Sequence, residues 1–321
     1  HALFSEDVRF RELTLSVVDE QHRFGVRQRL ALREKGTAPD VLVMTATPIP
    51  RSLALTLYGD LDTSYLRQRP SGLAPSEAVS TRIVPKDDRG DAYEAVREAI
   101  QAGRQAYVIC PLVEESDEAE AKAATREAER LARDVFPDLT VDLVTGRNTA
   151  DEKRGVMDRF RSGEVDVLVA TTVVEVGVDV PNATVMIVEG AERFGLAQLH
   201  QLRGRVTRGP EPGVVFLFAD ATTDDGRARM NAVASTADGF ELAEEDLRLR
   251  GEGQLLGERQ SGLPDLRVAS VIRDAAILER ARDDARRLVD EDPRLTAPEN
   301  AALREMCEGV FPDVADWTAS G

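Results

Sequence analysis

Two stretches of this 321-residue sequence hold residue types that could do phosphate chemistry. HQLRGRVTRG, His200 to Gly209, places three arginines within ten residues of a chain whose formal net charge is -17. Arg205 and Arg208 are three apart, so a helix through them would set both on one face, with Gln201 one turn earlier on the same side. A forked, always-charged guanidinium suits a phosphoryl oxygen that is accumulating charge. Ordinary surface salt bridging is the alternative, and Arg203 reads as a local salt-bridge or packing residue. VVDEQH, 17–22, offers two adjacent carboxylates, Asp19 and Glu20, just past an apolar run. Mg²⁺ takes carboxylate and water oxygens, which suits Asp19, and Glu20 beside it could orient or deprotonate an attacking water. A charged strand end facing solvent is the competing reading.

Two further stretches end apolar runs in the same way. TATPIPR, 45–51, brings the hydroxyls of Thr45 and Thr47, and by itself reads as an ordinary strand-to-loop turn. ATTVVEVGVDVPNA, 170–183, carries Thr171 and Thr172, then Gly177 and Asp179 ahead of a proline. Hydroxyls and backbone amides at such an edge can hold a nucleic-acid phosphate, and Asp179 could accept from a ribose hydroxyl. A buried strand running into a turn accounts for the stretch equally well.

These groups need a scaffold that delivers them together, and the hydrophobic pattern supplies one. LTLSVV (13–18) and VLVMTATP (41–48) read as buried strands with polar residues at their carboxyl ends, separated by a helical stretch at 26–36 that stops at a glycine. After the Pro/Gly-rich passage 67–78, strands are predicted at 79–84, 105–110, 140–144, 165–170, 184–188 and 213–218. Helices are predicted at 89–102, 115–134, 150–162 and about 197–204. Strands alternating with helices imply an α/β, doubly wound, mostly parallel sheet covered on both faces. In such sheets ligands meet the carboxyl ends of the strands, where the candidate residues fall. From about 222 the strands stop: two helices flank a turn at Asp238-Gly239, a Gly-rich loop spans 251–264, and a helix with alternating charge covers 270–289.

Composition limits the alternatives. No run approaches the roughly 18 consecutive apolar residues of a spanning helix, and HALFSEDVRF has neither the charged head nor the apolar core of a signal peptide, so the cytoplasm or nucleoid is the expected location. Cys110 and Cys307 lie in no C-x-x-C pair, which suggests neither a disulfide framework nor a zinc site. The excess of 58 Asp and Glu over 41 Lys and Arg disfavours a polyanion partner in total, while the pattern leaves one open, because much of the acid lies on solvated helix faces such as 114–134.

Taken in order, DEQH, TATP, the TTVVEVGVDVP run and Q-x-x-x-R-x-x-R resemble the later motifs of superfamily 2 helicases. DEQHRFGVRQR, VMTATPIPRSLALTLYGDLD, ERFGLAQLHQLRGRV and DGFELAEEDLRLRGEGQLLGERQSGL are similar to the RecG branch-migration helicase family over residues 1 to about 290. The resemblance implies a RecA-like fold, ATP and Mg²⁺ as cofactors, and branched double-stranded DNA (stalled forks and Holliday junctions) as partner. It also implies a single-stranded DNA-binding protein as a further partner, and a monomer.

By match, Asp19 would hold Mg²⁺ through water, Glu20 would be the catalytic base, and Gln21, His22, Thr45 and Thr47 would couple nucleotide state to the DNA cleft. Thr171 would contact a DNA phosphate, and Gly177 and Asp179 would meet the nucleotide. Gln201, Arg205 and Arg208 would face the γ-phosphate. Arg229, Arg250 and Gln260 would belong to the hairpin and loop that link hydrolysis to movement along duplex DNA.

The implied domains are 1–68, the end of helicase lobe 1; 69–222, lobe 2; 223–265, the translocation hairpin and loop; and 266–321, a C-terminal helical segment. Two departures stand out. Thr207 occupies a position where the family usually has glycine, which bears on the placement of Arg208. No G-x-x-x-x-G-K-[S/T] occurs, nor any OB-like β domain, so the chain reads as a C-terminal motor fragment that is ATPase-deficient by itself. The rival readings are a transcription-repair coupling translocase resembling Mfd and a non-catalytic DNA- or partner-binding module.

Overall fold

The computed structural model describes residues 8–20, 35, 39–45, 63–66, 75–85, 87–111, 117–171, 180–206, 209, 211–220, 223–250 and 273–310. The chain divides into two compact units, one formed by 1–49 with 65–250 and the other by 50–64 with 251–321. The helical stretch predicted at 26–36 and the Gly-rich loop 251–264 lie outside the described residues, apart from an isolated Lys35.

The larger unit is built on six parallel strands. β3 (Val79–Val84), β4 (Gln105–Ile109), β5 (Val141–Val144), β6 (Val167–Ala170), β7 (Ala183–Glu189) and β8 (Gly213–Phe218) lie in the order β3-β8-β7-β4-β6-β5. Two inner strands are buried throughout, every residue of QAYVI in β4 and VLVA in β6, with Gln105 the polar exception. That continuous run, instead of an alternation, is what a sheet covered on both faces requires. Tyr107 shows the register, opposite Leu168 on one side and Met186 on the other.

Helices supply the two covers. α2 (Gly90–Gln101) and α3 (Asp117–Arg130) pack with Phe136, Phe216 and Phe218 over one face, α3 running into a π-helical turn at Leu131–Val135. α4 (Ala150–Ser162) and α5 (Leu196–Arg203) pack over the other with Tyr107, Phe160 and Leu199. Burying each such aromatic or leucine stabilises by about 1.5–3 kcal/mol, and Tyr107 meets Phe160 edge-on at 4.9 Å between ring centroids.

The helix bounds follow from local chemistry. α4 starts where Thr149 and Glu152 form a reciprocal capping box and ends at Gly163, which takes the left-handed conformation at φ 83°. A short helix α1 (Pro75–Ala78) leads into β3, inside the passage the sequence marks as Pro/Gly-rich. After β8, α6 (Asp224–Ser235), capped by the Thr223 side chain, and α7 (Gly239–Arg250) form the hairpin predicted around Asp238-Gly239. Met230, Val233 and Leu242 carry it into the same core as α5.

A separate parallel pair, β1 (Leu15–Val18) and β2 (Asp40–Val43), also belongs to the larger unit. Its strands are shorter than the predicted 13–18 and 41–48. Leu15, Val17, Leu42 and Met44 are 41–56% exposed, an apolar face that parallel sheets ordinarily bury.

The smaller unit contains α8 (Ala275–Glu291) and α9 (Ala301–Val310). Asp292 organises the turn between them, accepting from the backbone N–H of Thr296 and Ala297 and from the side chains of Thr296 and Asn300. Among the described residues no helix is long and apolar enough to cross a membrane.

Candidate nucleotide and nucleic-acid site

The carboxyl ends of β1 and β2 lie side by side, because Met44 N–H donates to Val18 O at 2.8 Å. This sets Asp19 and Glu20 beside Thr45. Glu20 holds the left-handed conformation at φ 52°, unusual for a glutamate, and its N–H donates to Asp19 Oδ1 at 2.8 Å. One Asp19 oxygen thus closes the turn, and the carboxylate is exposed. Among the described residues no three acidic, histidine or cysteine side chains are grouped to hold a metal. The exposed Asp19 carboxylate is an oxygen ligand of the kind Mg²⁺ takes together with phosphate and water. Gln21, His22 and Thr47 lie outside the described residues.

In the six-stranded sheet, Thr171 follows β6 with its N–H on Val144 O at 3.3 Å. It is fully buried, and its Oγ1 has no hydrogen-bond partner among the described residues. A buried hydroxyl without a partner costs about 1–3 kcal/mol, so a polar ligand at the strand end would satisfy a standing deficit. Gly177 and Asp179 lie outside the described residues.

The helix expected at about 197–204 is present as α5. Gln201 sits in the last turn of α5, the helix stops at Arg203 and Gly204 caps it, so Arg205 lies past the helix that carries Gln201. Arg205 and Val206 continue as tight turns, donating to Leu202 O at 2.9 Å and Arg203 O at 3.2 Å. The cause is packing: Val206 is driven into the core, and Gly213 of β8 passes beneath it so closely that a β-carbon there would lie 2.5 Å from Val206 O. Arg205 is only 8% exposed, held within the protein and not projecting from a helix. Arg208 lies outside the described residues, while Gly209 packs against Pro181 with no room for a side chain.

Arg203 is a packing residue, one of the two roles its place in the sequence suggests. Buried at 3% exposure, it donates through Nη1 to Val233 O at 2.8 Å and Thr236 O at 2.7 Å, while Nη2 lies 3.2 Å from His200 Nδ1. It therefore ties the end of α5 to the carbonyl end of α6. Arg229, expected at DNA, reaches back from α6 to Glu192 O at 3.3 Å and Phe194 O at 3.4 Å, just ahead of α5. These two arginines pin the helix bearing Gln201 to the hairpin at both ends. Arg250 is the last residue of α7, with its side chain outside the described residues, as is all of Gln260. Within the same unit, Tyr65 packs edge-on against Phe240 of α7 at 5.4 Å.

The sequence reading missed the Arg203 clamp and the Gly209–Pro181 approach. A glycine directly after the last arginine was the available signal for the second, since close backbone approach is what glycine permits. Nothing local signals the first.

Comparison with known proteins extends these observations. A family described as "Helicase conserved C-terminal domain" matches residues 91–209, and one described as "ATP-dependent DNA helicase RecG, domain 3, C-terminal" matches 236–320. The chain is 48% identical over 297 residues to an ATP-dependent DNA helicase RecG of Synechocystis, covering 92% of this chain and 35% of the relative. It is 46% identical to that of Thermotoga maritima, with coverage of 95% and 39%, and 48% identical to that of Escherichia coli K12, with 92% and 43%. The chain thus spans well under half the length of these relatives. A solved structure of RecG bound to a three-way DNA junction matches with a TM-score of 0.61 and 41% identity, covering 87% of this chain and 35% of that one.

The parallel sheet, its two helical covers and the match over 91–209 define the C-terminal RecA-like domain of a helicase. The hairpin that follows and the second match narrow the class. The chain is similar to the RecG helicases over nearly all of its length.

Proposed function

We propose that this chain is part of the motor of an ATP-dependent double-stranded DNA translocase that remodels branched DNA, namely stalled forks and Holliday junctions. The observation that carries the reading is the packing of Gly209 on Pro181, which brings the end of the arginine stretch against the VGVDVP stretch. Two stretches distant in sequence thus approach one another within one domain. Support for the branched substrate comes from the relative whose structure was solved on a three-way DNA junction.

Within this reading residues 1–68 are the end of the first motor lobe, 69–222 the second lobe, 223–265 the translocation hairpin and loop, and 266–321 a C-terminal segment. Asp19 would hold Mg²⁺, which would neutralise charge on the phosphates, and Glu20 would accept the proton of the attacking water. Gln201, Arg205 and Arg208 stabilise charge on the γ-phosphate, with Gly177 and Asp179 toward the sugar. ATP supplies the phosphoryl group that is transferred to water. Burial of Arg205 suits its role, because a guanidinium already held in place loses little freedom as charge develops. Gln21, His22, Thr45 and Thr47 pass the nucleotide state on, Thr171 meets a DNA phosphate, and Arg229, Arg250 and Gln260 convert the change into movement. The protein works as a monomer in the cytoplasm, on the nucleoid, with a single-stranded DNA-binding protein as a further partner.

The sequence contains no G-x-x-x-x-G-K-[S/T] loop for the β- and γ-phosphates. Residues 1–321 alone therefore bind ATP weakly and hydrolyse it negligibly, because positioning and charge stabilisation need both sides of the site. The test is ATP hydrolysis by the purified chain with Mg²⁺ and forked DNA. Hydrolysis that DNA stimulates and Arg205→Ala abolishes would sink this part of the reading.

A further inference from the structure

Gln105 places a side-chain amide at 3% exposure in the first position of β4, and no role above uses it. Its Nε2 donates to Phe160 O at 2.5 Å and to Val165 O at 2.7 Å, and its Oε1 accepts from Asn182 Nδ2 at 3.1 Å. Asn182 carries the bonds onward. Its Nδ2 also donates to Gly103 O at 2.9 Å and its Oδ1 accepts from Arg104 Nη1 at 3.3 Å, while Arg104 Nη2 donates to Glu211 Oε1 at 3.0 Å. The main chains are joined as well, Gln105 N–H to Asn182 O at 3.1 Å. This relay runs along the amino ends of four neighbouring strands: Glu211 ahead of β8, Asn182 ahead of β7, Gln105 opening β4 and Val165 ahead of β6. It lies at the edge of the sheet opposite to the one that bears Thr171.

The relay holds a turn that the nucleotide roles need. Ala183 N–H donates to Val180 O at 3.1 Å, closing a turn with Pro181 and Asn182 at its corners, where proline fixes the first φ. The pairing of β4 with β7 shifts register between Gln105 and Ala106, so the regular ladder stops where the relay begins. The carbonyl of Pro181 is the surface against which Gly209 packs. In the sequence, Asp179 comes directly before this turn and Arg208 directly before Gly209.

We infer that Gln105 and Asn182 are positioning residues for the nucleotide site: their amide relay fixes the Val180–Ala183 turn and, through the seat of Gly209 on Pro181, the points from which Asp179 and Arg208 start. Packing alone does not account for Gln105. An apolar residue would fill the first position of β4 without desolvating an amide, whereas a satisfied buried network selects one arrangement and leaves it little play. Small displacements matter for the groups it serves, since a misplacement of about 1 Å can cost about 10²-fold in rate. Arg104 and Glu211 form the exposed end of the relay, and a surface pair of this kind adds little. The weight therefore falls on the two amides.

The inference rests on the nucleotide roles proposed above, and two measurements separate it from them. In the purified 321-residue chain, Gln105→Leu and Asn182→Ala should each speed amide exchange at Val180, Ala183 and Gly209 by about tenfold or more. Leu131→Ala, which loses packing on the other helical cover, should leave those amides as they are. Exchange unchanged in both relay variants overturns the inference and leaves the motor reading standing. In the Thermotoga maritima relative carrying this chain over the matching region, the same two variants should lower kcat for ATP by about 10²-fold. The double variant should lose no more than either single one, because both break one relay. Leu131→Ala should keep kcat. Faster exchange with kcat unchanged, additive losses, or an equal loss in Leu131→Ala would each make the relay a packing device and overturn the inference. Turnover indifferent both to the relay variants and to Arg205→Ala overturns the two readings together.

Discussion

Gly209 lies so close to the backbone carbonyl of Pro181 that a β-carbon on it would fall under 3.0 Å from that oxygen. The approach joins the end of the arginine stretch to the end of the VGVDVP stretch through two main chains, with no flexible side chain to give way. Gly209→Ala should therefore force a backbone shift costing about 1–3 kcal/mol. Urea unfolding of the chain reads this directly, as a lower midpoint at unchanged slope.

Arg203 predicts a second effect, on the hairpin. Its guanidinium donates to Val233 O and Thr236 O, carbonyls at the end of α6 that have no successor in the helix. Arg203→Met should cost about 2–3 kcal/mol, in the range of hydrogen bonds made by charged groups. Faster amide exchange should accompany it along α6 and α7, and Arg203→Lys should recover part of the loss.

The lone hydroxyl of Thr171 makes a prediction of opposite sign. Thr171→Val keeps the shape and removes a buried polar atom that has no partner among the described residues, so it should leave the chain as stable or up to about 1–3 kcal/mol more stable. DNA binding should weaken in the same variant. A gain in stability paired with a loss of binding distinguishes a ligand contact from a packing residue.

Strong acid should open the turn between α8 and α9. The Asn300 side chain, then the backbone N–H groups of Ala297 and Thr296, lower the Asp292 carboxyl from 3.8 to about 2. A depressed folded value contributes stability that is fully present above the unfolded value and is lost as pH falls through the folded one. The Thr296 and Ala297 amides should thus lose protection from exchange between about pH 4 and pH 2. Asp292→Ala should abolish that dependence and leave these amides unprotected at every pH.

Much of the fold was legible because its signals are local. β3, α4 and β8 fall at the predicted bounds, α4 because Thr149, Glu152 and Gly163 state its two ends in the sequence. The π-helical turn after α3 carried no such mark, and Pro75–Ala78 formed a helical turn inside a passage read from its prolines and glycines. The helix predicted at about 197–204 is α5, and Gly204 with the burial of Val206 sets its end at Arg203, which leaves Arg205 past it. Asp19, Glu20, Thr45 and Thr171 stand at strand ends as expected. The clamp from Arg203 to α6 and the contact of Gly209 with Pro181 join residues about 30 apart, and no pattern within either segment announces them.

The most direct test of the motor assignment replaces the matching region of the Thermotoga maritima relative, which this chain covers over 306 residues at 46% identity, with residues from this chain. ATP hydrolysis by the chimera is then measured with and without forked DNA. The account predicts hydrolysis that DNA stimulates, that Glu20→Gln stops while ATP binding persists, and that Arg205→Ala reduces by about 10³-fold or more. A folded chimera whose turnover is indifferent to both substitutions would contradict it.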